Sequence, residues 1–295
     1  MRDELMTEAL CWELESKVTV DYAYTARAGF ELACYCPHEI CLVRVYPKRR
    51  VNTYFYAPDR HITGCPNEAR STESSLYPGL PKPRTPDVRS KPVPNVLGPG
   101  PTIKAKPRAP TKTELLQLAV AVRALPAVHP GTLEEVIDAW TCMTPDERAT
   151  QPLAVAGRNL TYETAFTFLG GATDHIDSLN ARDRIIFGAA TVVERDYCFL
   201  IESRKKFQHG TGKLPLRLVS TKRNVVPAYL SEMTGQRATL FWHGVAPELA
   251  DKGNAFRFEV DSRSAYAGIA LRVGELAPWT VTMTTKASCD GDSRC

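Results

Sequence analysis

The sequence predicts an α+β protein made of several domains. Three observations carry that expectation: a cysteine/histidine cluster that brackets two strand-like runs, a proline-rich basic break, and a helix-patterned block followed by a β-patterned one. The boundaries read as a cysteine-rich module over 1–66, a linker over 67–112, a small helical bundle over 113–182, an antiparallel β-domain over 183–284 and a flexible tail over 285–295.

In the first module Cys36-x4-Cys41 and His61-x3-Cys65 place two soft ligand pairs at the ends of one short segment. Each pair can sit on a turn and offer two donors to a single ion. Zinc suits the set, because thiolate and imidazole satisfy its tetrahedral preference without redox change. Between the pairs, Leu42–Tyr46 and Val51–Tyr56 read as two strands joined by the basic turn Pro47-Lys48-Arg49-Arg50. This is a zinc-ribbon-like layout. With four protein ligands the ion is expected to be structural, leaving no open position for water or substrate.

Two further residues compete for that site. Cys34-x-Cys36 is too tight for both sulfurs to reach one zinc easily, and Cys34 is expected on the opposite face of the strand. His38, inside the Cys36–Cys41 turn, is the alternative to His61. The string Gly29-Phe30, Cys36-Pro37, Cys41, Tyr54-Phe55-Tyr56, His61-Ile62, Gly64-Cys65-Pro66 resembles the zinc-finger module that opens many bacterial proteins. The competence protein CoiA has such a module, as do uncharacterised proteins linked to mobile elements or phage defence. The resemblance covers about the first quarter of the chain. It implies a bacterial origin and a zinc site at Cys36, Cys41, His61 and Cys65, and it does not extend to the nuclease domain of CoiA-type proteins.

From Pro66 to Lys112 the chain holds eleven of its 22 prolines, nine Lys or Arg and three acids. Proline removes donors and fixes φ, so this stretch reads as an extended basic spacer. The next block carries helix signals. Glu114–Leu125 is a good helix former stopped by Pro126, Thr132-x-x-Glu135 is a capping box, and Thr144-Pro145-Asp146-Glu147 opens another helix. A fourth is expected over Thr161–Leu169. Short helices with small loops read as an orthogonal bundle.

Beyond Arg184 the pattern turns to β, with strands expected over 185–194, 197–203, 214–220, 238–244, 255–261 and 267–273, and a helix over 225–233. Strands, one helix, then further strands is the order of an OB-type barrel, a fold that commonly grips single-stranded nucleic acid. Between Arg204 and Ser231 there are seven basic residues (Arg204, Lys205, Lys206, Lys213, Arg217, Lys222 and Arg223) and no acid. Together with Lys48, Arg49 and Arg50 they are the candidate nucleic-acid contacts.

Composition bounds the rest. A chain of 295 residues with a 43% hydrophobic share can bury real cores. No run reaches the roughly 18 apolar residues of a membrane span. The start Met1-Arg2-Asp3-Glu4-Leu5 does not read as a signal peptide. Nine scattered cysteines suit a reducing cytoplasm better than a disulfide framework. The expected function is therefore a zinc-binding, non-catalytic, cytoplasmic accessory protein of a bacterial mobile-element or phage-defence system that binds DNA or RNA, single-stranded or without sequence preference. The alternatives are a protein-interaction adaptor, or a metal-dependent nuclease built on Asp183, Glu194, Glu202 and Lys205. The spacing Glu202-x-x-Lys205 is wrong for the usual Glu-x-Lys of such enzymes.

Overall fold

The computed structural model describes residues 5–68, 92–172, 174–221, 229–259 and 265–279. The chain divides into two compact units, Met1–Pro92 with Gly100–His129, and Val93–Pro99 with Pro130–Cys295. Both mix helices with strands, and strands dominate.

The first unit is built on β1 (Glu8–Cys11), β2 (Ser16–Thr19), β3 (Cys34–Tyr35), β4 (Arg44–Arg49) and β5 (Thr53–Tyr56). They form one antiparallel sheet in the order β2-β1-β3-β4-β5. Two helices pack on it, α1 (Val20–Ala26) and α2 (Lys112–Val122). Strand alternation divides the sheet into two apolar faces. Ala9, Cys11, Val18, Cys34, Val45 and Phe55 meet Val20 and Ala23 of α1 on one face. On the other, Leu10 and Tyr35 meet Leu115, Leu118, Ala119 and Val122 of α2. Helix α2 starts earlier than its apolar run suggests, because Thr111 and Glu114 close a capping box.

The hairpin expected between the ligand pairs exists, with its turn moved. Pro47, Lys48 and Arg49 belong to β4, and the reversal falls at 50–52. Pro47 is tolerated inside a strand because β3 pairs only with Arg44 and Val45, so beyond them β4 has an open edge.

The spacer reading covers 67–112, of which 69–91 lie outside the described residues. Nearer its end, Val96–Leu97 forms β6, a strand of the second unit, and Lys112 opens α2. The tail reading over 285–295 also lies outside the described residues.

In the second unit β6 joins β7 (Pro130–Gly131), β8 (Pro152–Val155) and β9 (Arg158–Thr161) in a four-stranded sheet ordered β7-β6-β8-β9. Around it lie α3 (Leu133–Cys142), α4 (Pro145–Thr150) and α5 (Tyr162–Ala165), followed by β10 (Phe166–Phe168). The capping box read at Thr132 is formed, and the helix start read at Thr144-Pro145 proves to be closed by a capping box with Glu147 as well. The helical bundle expected over 113–182 is not. Ala156 and Gly157 both take positive φ (50° and 79°), which closes β8 and β9 into a two-residue hairpin. The helix expected over Thr161–Leu169 ends at Ala165, because Phe166–Phe168 pairs in parallel with the start of the next strand.

That strand is β11 (Ile185–Glu194), part of a large sheet with β12 (Cys198–His209), β13 (Gly212–Thr221), β14 (Arg237–His243), β15 (Glu248–Leu249), β16 (Phe256–Glu259) and β17 (Gly268–Val273). A short helix, α6 (Tyr229–Glu232), precedes β14. The order is β15-β16-β13-β12-β11-β14-β17, with β10 also on β11. The expected antiparallel OB-like barrel is therefore corrected. Among the described residues the sheet is open, its ends β15 and β17 do not pair, and β10–β11 and β13–β16 run parallel. Strand order in sequence carries no information about closure; that depends on tilt and register summed around the sheet.

Along the first half of β11 and along β14 both faces of the sheet are buried. Ile186, Val192, Ile201, Leu218, Leu240 and Trp242 face one core, while Ile185, Phe187, Phe241 and Ala270 face another with Trp140 and Phe166. This explains the near-continuous apolar run from Ile185. Gly244 follows β14 at φ 90°, and a Cβ there would stand 2.6 Å from the Cβ of Ala267. Gly244→Ala combines a left-handed backbone with a clash, so urea titration is expected to show a loss of about 1–3 kcal/mol.

Among the described cysteines, Cys11, Cys34, Cys36, Cys41, Cys65 and Cys198 are free thiols. No described helix is long and apolar enough to cross a membrane.

Candidate metal centre

Two turns bring the ligands together. In the first, the carbonyl of His38 accepts the N–H groups of Cys41 and Leu42, folding Cys36–Cys41 back on itself. Leu42 takes φ 50° as the chain leaves for β4. In the second, the N–H of Cys65 donates to Ile62 O. Gly64 takes φ 85° there, a conformation that glycine adopts without a Cβ penalty.

Cys36, Cys41, His61 and Cys65 each present one ligand atom, all within 4.8 Å of one another. Cys36 Sγ lies 3.7 Å from Cys65 Sγ, and His61 Nδ1 lies 3.3 Å from Cys41 Sγ and 3.6 Å from Cys65 Sγ. Tetrahedral zinc with usual Zn–S and Zn–N bonds needs edges of about 3.8 Å between sulfurs and about 3.6 Å from sulfur to nitrogen. These three separations are close to such edges, and the whole set stays within 4.8 Å. The set can bind a metal ion such as zinc.

Burial pushes the Cys36 thiol up to about 12 and raises that of Cys65, so free thiolates here are costly and a dication offsets that cost. Asn67 donates its Nδ2 to Cys36 Sγ (3.3 Å) and its backbone N–H to Cys65 Sγ (3.4 Å). Such N–H···S contacts orient ligand sulfurs and spread their charge. Sequence reasoning missed Asn67; its position two residues after Cys65 was the available signal.

Both competitors are outside the cluster. His38 contributes its carbonyl to the turn and is not among the gathered ligand atoms. Cys34 is not either, although the expectation of opposite faces was wrong: residues two apart share a face, and Cys34 and Cys36 enter the same core. What separates them is the partner. Cys34 sits across the ladder from Cys11, and the hydrogen bond with Cys11, with burial, raises its thiol well above the usual range.

The candidate nucleic-acid residues divide into two groups. Lys48 lies with its Nζ 5.0 Å from the Tyr56 ring centre. Among the described residues no carboxylate forms an ion pair with Lys48, Arg49 or Arg50. The second group is largely neutralised. Lys205 and Lys213 share Asp174, Arg217 Nε meets Glu202 at 2.7 Å, and Arg204 pairs with Glu275. The two lysines hold the Asp174 carboxyl down to about 2. Lys206 has no such partner among the described residues, and Lys222 and Arg223 lie outside them. Arg204, Lys205, Lys206, Lys213 and Arg217 lie on β12 and β13 rather than on loops.

Asp183, Glu194, Glu202 and Lys205 are not brought together. Asp183 pairs with Arg158, Glu202 with Arg217 and Lys205 with Asp174. No family model, curated protein or solved structure matches the chain. Of the resemblance to the CoiA-type module, what stands on this chain is the set of three cysteines and one histidine near its N-terminus.

Proposed function

We propose that the chain is a zinc-stapled, non-catalytic nucleic-acid-binding protein, with Cys36, Cys41, His61 and Cys65 holding a structural zinc. The observation that carries the zinc reading is the gathering of three sulfurs and one imidazole nitrogen within 4.8 Å of one another. With all four positions supplied by the protein, the ion has no site for substrate and acts as a staple. The nucleic-acid reading rests on Lys48, Arg49 and Arg50, three cations on the hairpin that the staple supports. The resemblance stated above adds the finer reading of a bacterial cytoplasmic accessory protein tied to a mobile element or phage defence.

Counterion release supplies the test. The parent is expected to bind DNA or RNA with an affinity that falls steeply as salt rises. Lys48→Ala, Arg49→Ala and Arg50→Ala together should shallow the log–log salt slope by about two to three. Lys205→Ala with Lys206→Ala should change it by about one or less, because Lys205 already neutralises Asp174. A parent with no affinity even at low salt, measured by fluorescence anisotropy, rejects this reading in favour of a protein-interaction adaptor.

A further inference from the structure

The outer face of the β4–β5 hairpin carries an arrangement that the basic residues alone do not explain. Alternation sends Val45, Pro47 and Phe55 inward and leaves Arg44, Tyr46, Lys48, Tyr54 and Tyr56 on the other side. The register sets Tyr46 opposite Tyr56 and Lys48 opposite Tyr54, so three rings and two cations form one lattice. At β1 and β3 this face is covered by α2, through Leu10 and Tyr35. The cover does not reach the hairpin, where Tyr46 and Tyr56 are 43% and 47% exposed.

The cations lie over the rings. Lys48 Nζ is 5.0 Å from the Tyr56 centre, and the Arg44 guanidinium is 5.2 Å from Tyr35 and 5.4 Å from Tyr46. Cross-strand aromatic pairing stabilises a hairpin in its own right, yet that role needs no positive charge beside each ring. Among the described residues no carboxylate pairs with Arg44 or Lys48; Arg44 donates from Nη1 to Tyr35 OH (3.1 Å) and from Nη2 to Leu32 O (3.4 Å), which holds its charge in place without neutralising it. Open rings interleaved with uncompensated cations match a polymer that alternates flat π-faces with phosphates.

We propose that this face is a stacking platform for single-stranded nucleic acid, with bases on Tyr46 and Tyr56 and phosphates beside Arg44 and Lys48. The proposal rests on the nucleic-acid reading above and adds to it the strand state and the residues that touch bases. A duplex keeps its bases stacked on one another and offers tyrosine no free π-face, so the platform selects single strands. Stacking is indifferent to base identity, so weak sequence preference is expected.

Anisotropy titrations of the full chain with a labelled oligothymidine and with a duplex of equal length test it. The single strand should bind more tightly. Tyr46→Ala with Tyr56→Ala should weaken it at least about tenfold without changing the salt slope, while Tyr46→Phe with Tyr56→Phe stays close to the parent. Zinc content reports whether each variant is folded. Independently of any variant, photocrosslinking of the parent to an iodouracil-substituted oligonucleotide should place adducts on Tyr46 or Tyr56. Equal affinity of the alanine pair and the parent, equal affinity for duplex and single strand, or adducts only elsewhere overturns the platform and leaves the nucleic-acid reading standing. A parent that binds neither probe overturns both.

Discussion

Stripping metal from the Cys36–Cys41–His61–Cys65 set is expected to unfold the first unit and to leave the secondary structure of the second in place. The three sulfurs belong to the core that also holds Val45, Phe55, Val20 and Ala23, so the ligands sit inside the packing rather than beside it. A structural zinc site is worth on the order of 10–16 kcal/mol in small modules, which exceeds what a core of this size supplies alone. Cys36→Ser or Cys65→Ser should have the same outcome as a chelator, since either leaves the ion one buried thiolate short. Cys34→Ala should retain metal, because Cys34 faces Cys11 and not the ion. Elemental analysis checks the stoichiometry, expected at one zinc per chain, and circular dichroism before and after chelation checks the unfolding. A metal-free protein whose far-ultraviolet spectrum and melting profile equal those of the loaded protein would overturn the structural role.

The second large effect is expected at Trp140, in the other unit. Its indole is 2% exposed, stacks on Phe166 at 4.9 Å, and meets Phe187 and Phe241 edge-on at 4.9 and 5.9 Å. Over it lies the Arg148 guanidinium, 3.9 Å from the ring. Arg148 is itself buried, and burial lowers its pKa. It donates from Nε to Trp140 O (2.9 Å) and from Nη1 to Pro278 O (2.6 Å). Trp140→Ala therefore opens a cavity and removes the π-face that helps compensate a desolvated cation. The cavity alone costs about 3–5 kcal/mol, a large part of the 5–15 kcal/mol that holds an ordinary domain together. Arg148→Met keeps the packing volume and loses the charge and the contacts to Trp140 O and Pro278 O, so its effect should be smaller. Urea midpoints by circular dichroism measure both. A loss below about 1 kcal/mol for Trp140→Ala would show that this cluster is not the core of the unit.

Local chemistry was readable in advance where neighbours in sequence are neighbours in space. Cys36-x4-Cys41 and His61-x3-Cys65 close within single turns, so their spacing already contained the two halves of the metal site. Thr132 with Glu135 and Thr144 with Glu147 are capping partners three residues apart, and both helices start there. The extents of β11 and β14 followed from their apolar runs, which strand pairing rewards directly. The hairpin at Ala156-Gly157 was missed because alanine is an unusual residue for a positive φ, and the helix signals on either side outweighed it.

Ligand types, caps and most strand positions were legible in the residue pattern, because they depend on contacts a few residues apart. Packing between distant segments settles that His61, not His38, joins Cys36, Cys41 and Cys65. Only the tertiary structure decided that Asp174, Glu202 and Glu275 neutralise a stretch containing no acid of its own between Arg204 and Ser231. The same holds for the large sheet, which stays open although its strand order suits a barrel. Charge balance and closure are sums over residues tens of positions apart, and no local pattern encodes which distant strand, or which distant carboxylate, will arrive beside a given side chain.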